Sequence, residues 1–264
     1  MNYRGRLAPT PTGYLHLGHA RTFWIAQERA RAAGGTLLYR NENLDSDRCK
    51  PEYTEAAIED CRWIGLHWEG DVLHQSGRLD LYRKAFEQLK QSGYLFPCTC
   101  TRRDLENAVA APHGEGGETI YPGTCREQTT PPEADCNWRF RVPDGEHVTF
   151  EDAHYGPQQF VAGRDFGDFP VWQKNGMPSY QLAVVVDDAA QEITEVVRGA
   201  DLLVSTARQL LLYRALELIA PSFYHCDLML DAEGNRLAKR NKALSLRELR
   251  TNGKTPEEVR KEWI

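Results

Sequence analysis

No run of this chain approaches the roughly 18–20 consecutive apolar residues that a bilayer crossing needs. Residues 1–20 also lack a basic segment followed by an apolar core, so no secretory leader is expected and a cytoplasmic protein is. Internal repeats and low-complexity tracts are absent, which leaves out repeat arrays and unstructured linkers. Positive charge is not in excess: 32 Lys and Arg stand against 38 Asp and Glu, for a formal net charge of −6. That balance argues against nucleic-acid binding spread over the whole surface. The seven cysteines are an odd number, and without a leader they do not read as a disulfide framework. Metal binding or simple burial is what remains for them.

What is present is an ordinary globular composition, 41% apolar and 27% charged over 264 residues, enough for one large domain or one domain carrying an insertion. The chain is organised around its opening stretch, Arg6-Leu-Ala-Pro-Thr-Pro-Thr-Gly-Tyr-Leu-His16-Leu-Gly18-His19. A strand end, a Pro/Gly turn and a helix start, in that order, make an anion site, because the first N–H groups of a helix are unpaired and its dipole end is positive. Phosphate is the natural guest. His16 and His19 stand three residues apart, so both imidazoles reach one side of the first turn, and Gly18 leaves room for a flat base at the backbone.

Down the chain, 19–33 is expected to be a helix with Ala20, Phe23, Gln27 and Ala30 on one face, stopped by Gly34-Gly35. Thr36-Leu-Leu-Tyr39 reads as a short buried strand, and Arg40-Asn-Glu42-Asn-Leu-Asp45 stands at its carboxyl edge, where α/β sheets bind ligands. Helices are expected over 51–64 and after Gln75-Ser-Gly-Arg78, where Leu79, Tyr82, Phe86 and Leu89 share a face. Residues 97–176 then turn rich in Pro, Gly, Cys and short alternating segments such as Asn137-Trp-Arg-Phe-Arg-Val142, which reads as an inserted subdomain. The α/β rhythm resumes with Leu182-Ala-Val-Val-Val-Asp187, expected to be a central parallel strand. Glu195-Val-Val-Arg198-Gly-Ala-Asp201 is expected to be the next strand with its ligand-edge loop, and 205–220 a helix capped by Ser205. The fold class is therefore α/β, a Rossmann-type parallel sheet over 1–96 and 177–264 with a short helical stem, interrupted by an insertion over 97–176.

Two further groups carry chemistry. Cys98-Thr-Cys100 and Tyr121-Pro-Gly-Thr-Cys125 offer three thiols to one metal, and zinc prefers such soft tetrahedral ligands. On physical grounds His113 or Cys136 ranks above Tyr121 as the fourth donor, since a phenol with an ordinary pKa near 10 must lose its proton to bind well. Cys49, Cys61 and Cys226 read as buried small hydrophobes. Late in the chain, Arg236-Leu-Ala-Lys239-Arg240 opens a stretch to Lys261 with nine Lys/Arg against three Glu. This basic tail reads as a solvated charged helix or a localised RNA contact.

The opening stretch and Arg236-Leu-Ala-Lys239-Arg240 together resemble the HIGH and KMSKS signatures of class I aminoacyl-tRNA synthetases. With Gln75-Ser-Gly-Arg78, Cys98-Thr-Cys-Thr-Arg102, Val186-Asp-Asp-Ala189 and Val197-Arg-Gly-Ala-Asp-Leu-Leu203, almost the whole chain resembles the catalytic half of the glutamyl-tRNA synthetase family. Only 24 residues follow Arg240, so no anticodon-binding domain is expected. This brevity and the Cys-x-Cys…Tyr-x3-Cys cluster resemble the branch of the family that joins glutamate to the queuosine base at the wobble position of tRNA(Asp).

The resemblance implies ATP-dependent, Mg²⁺-assisted activation of L-glutamate to glutamyl-adenylate, then transfer to that tRNA, by a monomer. Glutamate, one ammonium and two carboxylates, needs an anion and at least two cations; Arg6, Glu42 and Arg198 supply them, with Glu42 on the ammonium. The resemblance adds Leu7, Ala8, Pro9, Thr10 and Tyr180 to the glutamate site. It gives His16, Gly18, His19 and Lys239 to ATP, with His16, His19 and Lys239 catalytic, and one structural zinc to Cys98, Cys100, Tyr121 and Cys125, overriding the ranking of the fourth ligand. Departures are Asn43, where an acidic residue is usual, and Arg236 and Ala238, where Lys and Ser are commoner. The competing readings are a minimal glutamyl-tRNA synthetase that charges the tRNA 3′ end, a degenerate binding paralogue, and a small-molecule adenylate-forming ligase.

Overall fold

The structure is a computed structural model that describes residues 2–101, 104, 120–131, 135–229 and 245–263. The chain forms two compact units, one of residues 1–77, 192–202 and 221–264, the other of 78–191 and 203–220.

The first unit is built on parallel strands. β1 (Arg4–Leu7) leads into α1 (Leu17–Ala32), β2 (Thr36–Asn41), α2 (Pro51–Trp63) and β3 (Leu73–His74). β1 pairs in parallel with β2, Leu7 opposite Tyr39, and β2 pairs in parallel with β3. The Thr194 amide donates to the Arg4 carbonyl at 2.9 Å, which lays β9 (Glu195–Gly199) beside β1, and β9 pairs in parallel with β10 (Ser222–Cys226). Helix α1 turns Ala20, Phe23, Ala26, Gln27 and Ala30 inward, the face expected from the 3.6-residue period. They pack with Leu7, Tyr39, Cys61, Ile64, Val197 and Cys226, while Cys49 is only half-buried.

The described part of the basic tail belongs to this unit as α6 (Leu246–Thr251) and α7 (Pro256–Arg260). Each starts with a reciprocal side-chain cap, Ser245 with Glu248 and Thr255 with Glu258, which satisfies first-turn donors that helices this short cannot leave open. Two of its cations are engaged by the rest of the unit: Arg247 pairs with Glu59 at the surface at 2.6 Å, and Arg260 donates to the Ile64 carbonyl at 2.8 Å.

The second unit contains α3 (Leu79–Gln91), the antiparallel sheet of β4 (Leu95–Cys98), β5 (Asn137–Phe140) and β8 (Phe169–Trp172), and the hairpin of β6 (His147–Asp152) and β7 (Gly156–Val161). It takes in the compositionally distinct stretch from 97 onward and adds α3, α4 (Tyr180–Ala190) and α5 (Leu203–Ala215) to it.

One expectation fails. The apolar run at 182–187 lies inside α4 and is not a strand. Periodicity alone does not separate a helix buried on all sides from a central strand, and here 182–188 are buried on every face. The deciding residue is Ser179, whose hydroxyl accepts from the Leu182 amide and caps the helix. Helix α5 also starts two residues before Ser205, which is therefore inside it and not its cap. No helix among the described residues is long and apolar enough to cross a membrane.

Candidate active site

Three charged side chains stand at the carboxyl ends of the first unit's parallel strands. Arg6 lies near the end of β1, Glu42 directly after β2, and Arg198 near the end of β9; all are buried. Arg6 Nη1 donates to the Val197 carbonyl at 3.0 Å, which ties β1 to β9 one residue before Arg198. The Glu42 amide donates to the Pro9 carbonyl at 3.0 Å and fixes the carboxylate's backbone beside the Ala8–Thr10 turn. In that turn Leu7 and Pro9 are buried, Ala8 is half-buried and Thr10 exposed.

Each gripping charge has a partner that sequence reading did not assign. Arg40, fully buried two residues before Glu42, donates to Glu42 Oε1 from Nη2 at 3.0 Å and from Nε at 3.3 Å. A charged carboxylate this deep costs several kcal/mol to bury alone, and the adjoining guanidinium offsets that cost. Arg198 Nε donates to Nε2 of the buried His225 at 3.1 Å. Arg40 was visible in the motif but unranked; His225 becomes a neighbour only through the β9–β10 register. Asn43 exchanges two hydrogen bonds with Ser76, from its Nδ2 to Ser76 Oγ at 3.0 Å and from the Ser76 amide to its Oδ1 at 3.1 Å. The Ser76 hydroxyl can donate as well as accept, so a carboxylate at this position could keep both contacts, and Asn43 leaves this link to the Gln75–Arg78 turn in place.

The opening stretch ends at α1 as expected. His16 is the residue that caps the helix: its Nδ1 accepts from the Gly18 amide at 3.1 Å, while its own amide donates to His19 Nδ1 at 3.3 Å. The two imidazole centroids are 3.8 Å apart. A Cβ on Gly18 would come within 3.1 Å of the His16 ring, so the space this glycine leaves is used by His16 folding back over the turn. Leu246 donates its amide to the Leu15 carbonyl at 2.8 Å, which brings the start of α6 against this stretch. Arg236, Ala238, Lys239, Arg240 and His113 lie outside the described residues.

In the second unit the sulfurs of Cys98, Cys100 and Cys125 all lie within 4.8 Å of one another. The Cys100 and Cys125 sulfurs are 3.6 Å apart, and the Tyr121 hydroxyl is 3.4 Å from Cys98 and 3.5 Å from Cys100. Bonds of about 2.3 Å to a tetrahedral ion put neighbouring sulfurs roughly 3.8 Å apart, so the three sulfurs are close enough together to share one ion. The Tyr121 hydroxyl lies beside this group, and Cys136 is not part of it. Burial first, then the sulfurs of Cys100 and Cys98, push the phenol well above its usual pKa. Behind it, Arg139 Nε donates to Cys98 Sγ at 3.2 Å, an outer contact of the kind that orients metal ligands. Tyr180 also belongs to this unit, half-exposed at the start of α4. It lines a cavity of about 300 Å³ with Arg139, Asp168, Ser179, Gln181 and Arg208.

The family model for the catalytic domain of class I tRNA synthetases (E and Q) matches residues 2–262. The chain belongs to this family. Among curated relatives, the glutamyl-Q tRNA(Asp) synthetase of Symbiobacterium thermophilum is 47% identical, over 97% of this chain and 83% of its own length. That of Nitratidesulfovibrio vulgaris is 45% identical over 95% and 82%, and that of Rhodobacter capsulatus 42% over 97% and 98%. Among solved structures, a glutamate tRNA ligase from Elizabethkingia meningosepticum in complex with its amino acid superposes with a TM-score of 0.79 at 27% identity, over 96% of this chain. This chain spans about half of that ligase, 54% of its length. For a class I synthetase catalytic domain, ATP is the expected co-substrate, and the strand edges that carry Arg6, Glu42 and Arg198 are where such a sheet receives ligands.

Proposed function

We propose that this synthetase domain activates L-glutamate with ATP and transfers the glutamyl group to the queuosine base at the wobble position of tRNA(Asp). The observation that supports the glutamate half is the placement of the buried Arg6, Glu42 and Arg198 at the carboxyl ends of the neighbouring strands β1, β2 and β9. Two cations and one anion complement a substrate with two carboxylates and one ammonium. The acceptor half rests on relatives at 42–47% identity named for it.

In this reading Glu42 takes the substrate ammonium, Arg198 and Arg6 take carboxylates, and Leu7 to Thr10 shape the rest. A carboxylate oxygen of glutamate attacks the α-phosphorus of ATP in line and expels pyrophosphate, which leaves a mixed anhydride. His16, Gly18, His19 and Lys239 hold the triphosphate, whose charge Mg²⁺ shares, and positioning with charge neutralisation supplies the rate. No protein nucleophile is needed. In the second step a queuosine hydroxyl attacks the anhydride carbonyl, AMP leaves, and the hydroxyl proton passes to solvent. Zinc held by Cys98, Cys100, Tyr121 and Cys125 would be structural, since four protein ligands leave no open position.

Glutamate-dependent exchange of pyrophosphate into ATP without tRNA is expected, followed by glutamate transfer to tRNA(Asp) that carries queuosine. Glutamate appearing on tRNA that lacks queuosine would replace this reading with charging of the 3′ end. Absence of exchange at high enzyme would leave a binding paralogue.

A further inference from the structure

We propose that His225 is a positioning residue for glutamate recognition, a role that rests on the function proposed above. In the parallel β9–β10 ladder His225 stands opposite Arg198, and its ring is fully buried. Arg198 Nε donates to His225 Nε2 at 3.1 Å. Accepting that bond requires a lone pair on Nε2, so the imidazole is the neutral form with its proton on the other nitrogen. Two residues earlier on the same face of the strand, the Phe223 ring lies 6.2 Å from the His225 ring at 20° between planes, and the Arg198 guanidinium carbon sits 5.5 Å from the centre of the Phe223 ring. Strand β10 thus offers the guanidinium a flat seat, with one acceptor at its edge.

An arginine side chain has four rotatable bonds, and a carboxylate fork rewards only one orientation of the plane. Fixing Nε from the side settles that orientation before substrate arrives, and rigid supporting groups are what hold a binding site to productive geometry. A buried imidazole costs free energy unless it is hydrogen-bonded. A nonpolar residue would fill this place in β10 more cheaply if packing were its only task. His225 therefore acts through Arg198 on glutamate and not on ATP.

Pyrophosphate exchange by the full chain, with glutamate and ATP varied in turn, tests this. His225→Leu keeps the bulk and removes the acceptor. It is expected to raise the glutamate KM by about tenfold to a hundredfold, the worth of a hydrogen bond to a charged group, with the ATP KM changed less than about twofold. His225→Gln, whose amide oxygen can accept from Nε, is expected to recover most of that loss. In an Arg198→Ala background, His225→Leu is expected to add little, because the partner through which it acts is gone. An unchanged glutamate KM in His225→Leu, or equal rises in both KM values, overturns the inference. If His225→Leu does not fold, the comparison is made with His225→Asn, whose shorter amide reaches Nε poorly; a wild-type glutamate KM there overturns it equally. Wild-type protein without glutamate-dependent exchange overturns the activity itself and this inference with it, whereas wild-type exchange with indifferent His225 variants overturns this inference alone.

Discussion

In the first unit the chemistry-bearing side chains are charged, and each leans on a buried partner: Glu42 on Arg40, Arg198 on His225, Arg6 on the Val197 carbonyl. In the second unit the corresponding group is three thiols and a phenol that lean on one another. The first arrangement is complete as a set of fixed charges before any ligand comes. The second is four neutral or weakly acidic donors whose crowding makes sense once a cation sits among them. One unit stores its preorganisation in hydrogen bonds from the strand edges; the other would draw its order from the zinc proposed for it.

The sharpest way to break this comparison is Arg198→Ala. Removing one of two cations from a closed carboxylate site leaves substrate charge unpaired, and glutamate-dependent pyrophosphate exchange is expected to fall by at least about a thousandfold, or roughly 4 kcal/mol. ATP affinity, read by equilibrium binding, is expected to change little. Equal loss of both would mean that Arg198 supports the fold of the rim and not the amino acid.

The second unit is tested by its metal. Purified protein handled without chelators is expected to carry about one equivalent of zinc, and Cys98→Ser is expected to lose it. Loss of a structural metal belongs with the largest single-substitution effects, about 4 kcal/mol. The variant should therefore melt well below the wild type, and a chelator should lower the wild-type transition toward it. A wild type without metal, indifferent to chelator, would show that the thiols are packed as a small apolar cluster and that the two units differ less than proposed.

How far the sequence revealed these two regions follows the same division. The rim residues Arg6, Glu42 and Arg198 were legible because each sits at the end of a short β-branched or apolar run, and strand direction then decides which edge it occupies. That His16 and His19 share the first turn of α1 was legible from their spacing, but that they cap it was not. Cys98, Cys100 and Cys125 were legible as thiols that one loop could gather, but spacing could not tell that the Tyr121 hydroxyl would lie beside them and Cys136 outside the group, since that depends on how the loop closes. His225 was hidden because pairing register belongs to tertiary structure, and Arg40 because a buried arginine reads in sequence like an exposed one. The run at 182–187 misled because all its faces are apolar, and only the Ser179 cap gives the helix away.

Asp60, on α2, sharpens the contrast within the first unit, because it is a buried charge without such a partner. It is 1% exposed, and neither carboxylate oxygen has a hydrogen-bond partner among the described residues. Burial raises its pKa from 3.8 to about 6, against the opposing pull of Arg247 and Arg250. Between those two values the folded chain holds a proton that the unfolded chain has lost, so stability falls as pH rises through that window and is lowest above it. Asp60→Asn is expected to raise the melting temperature at pH 8, and the gain should vanish below about pH 4, where both states of the wild type are protonated. A shift of two pH units represents about 3 kcal/mol, and solvent screening brings the expected gain nearer 1–2 kcal/mol. A variant no more stable at pH 8 than the wild type would show that Arg247 and Arg250 already neutralise the carboxylate.

The smallest effect is expected one residue earlier. Glu59 accepts from Arg247 at 2.6 Å, with side chains 56% and 42% exposed, so the pair is as short as the buried ones but stands in water. Exposed pairs contribute about 0–1 kcal/mol, because hydration and side-chain entropy cancel most of the attraction. Glu59→Gln should therefore shift the denaturation midpoint by less than the equivalent of 0.5 kcal/mol, and added salt should erase even that. Helix α6 would then be held by the burial of Leu246 and Leu249 and by the Leu246–Leu15 backbone bond. A larger loss would mean that the first unit relies on charge pairing at its surface as it does at its rim.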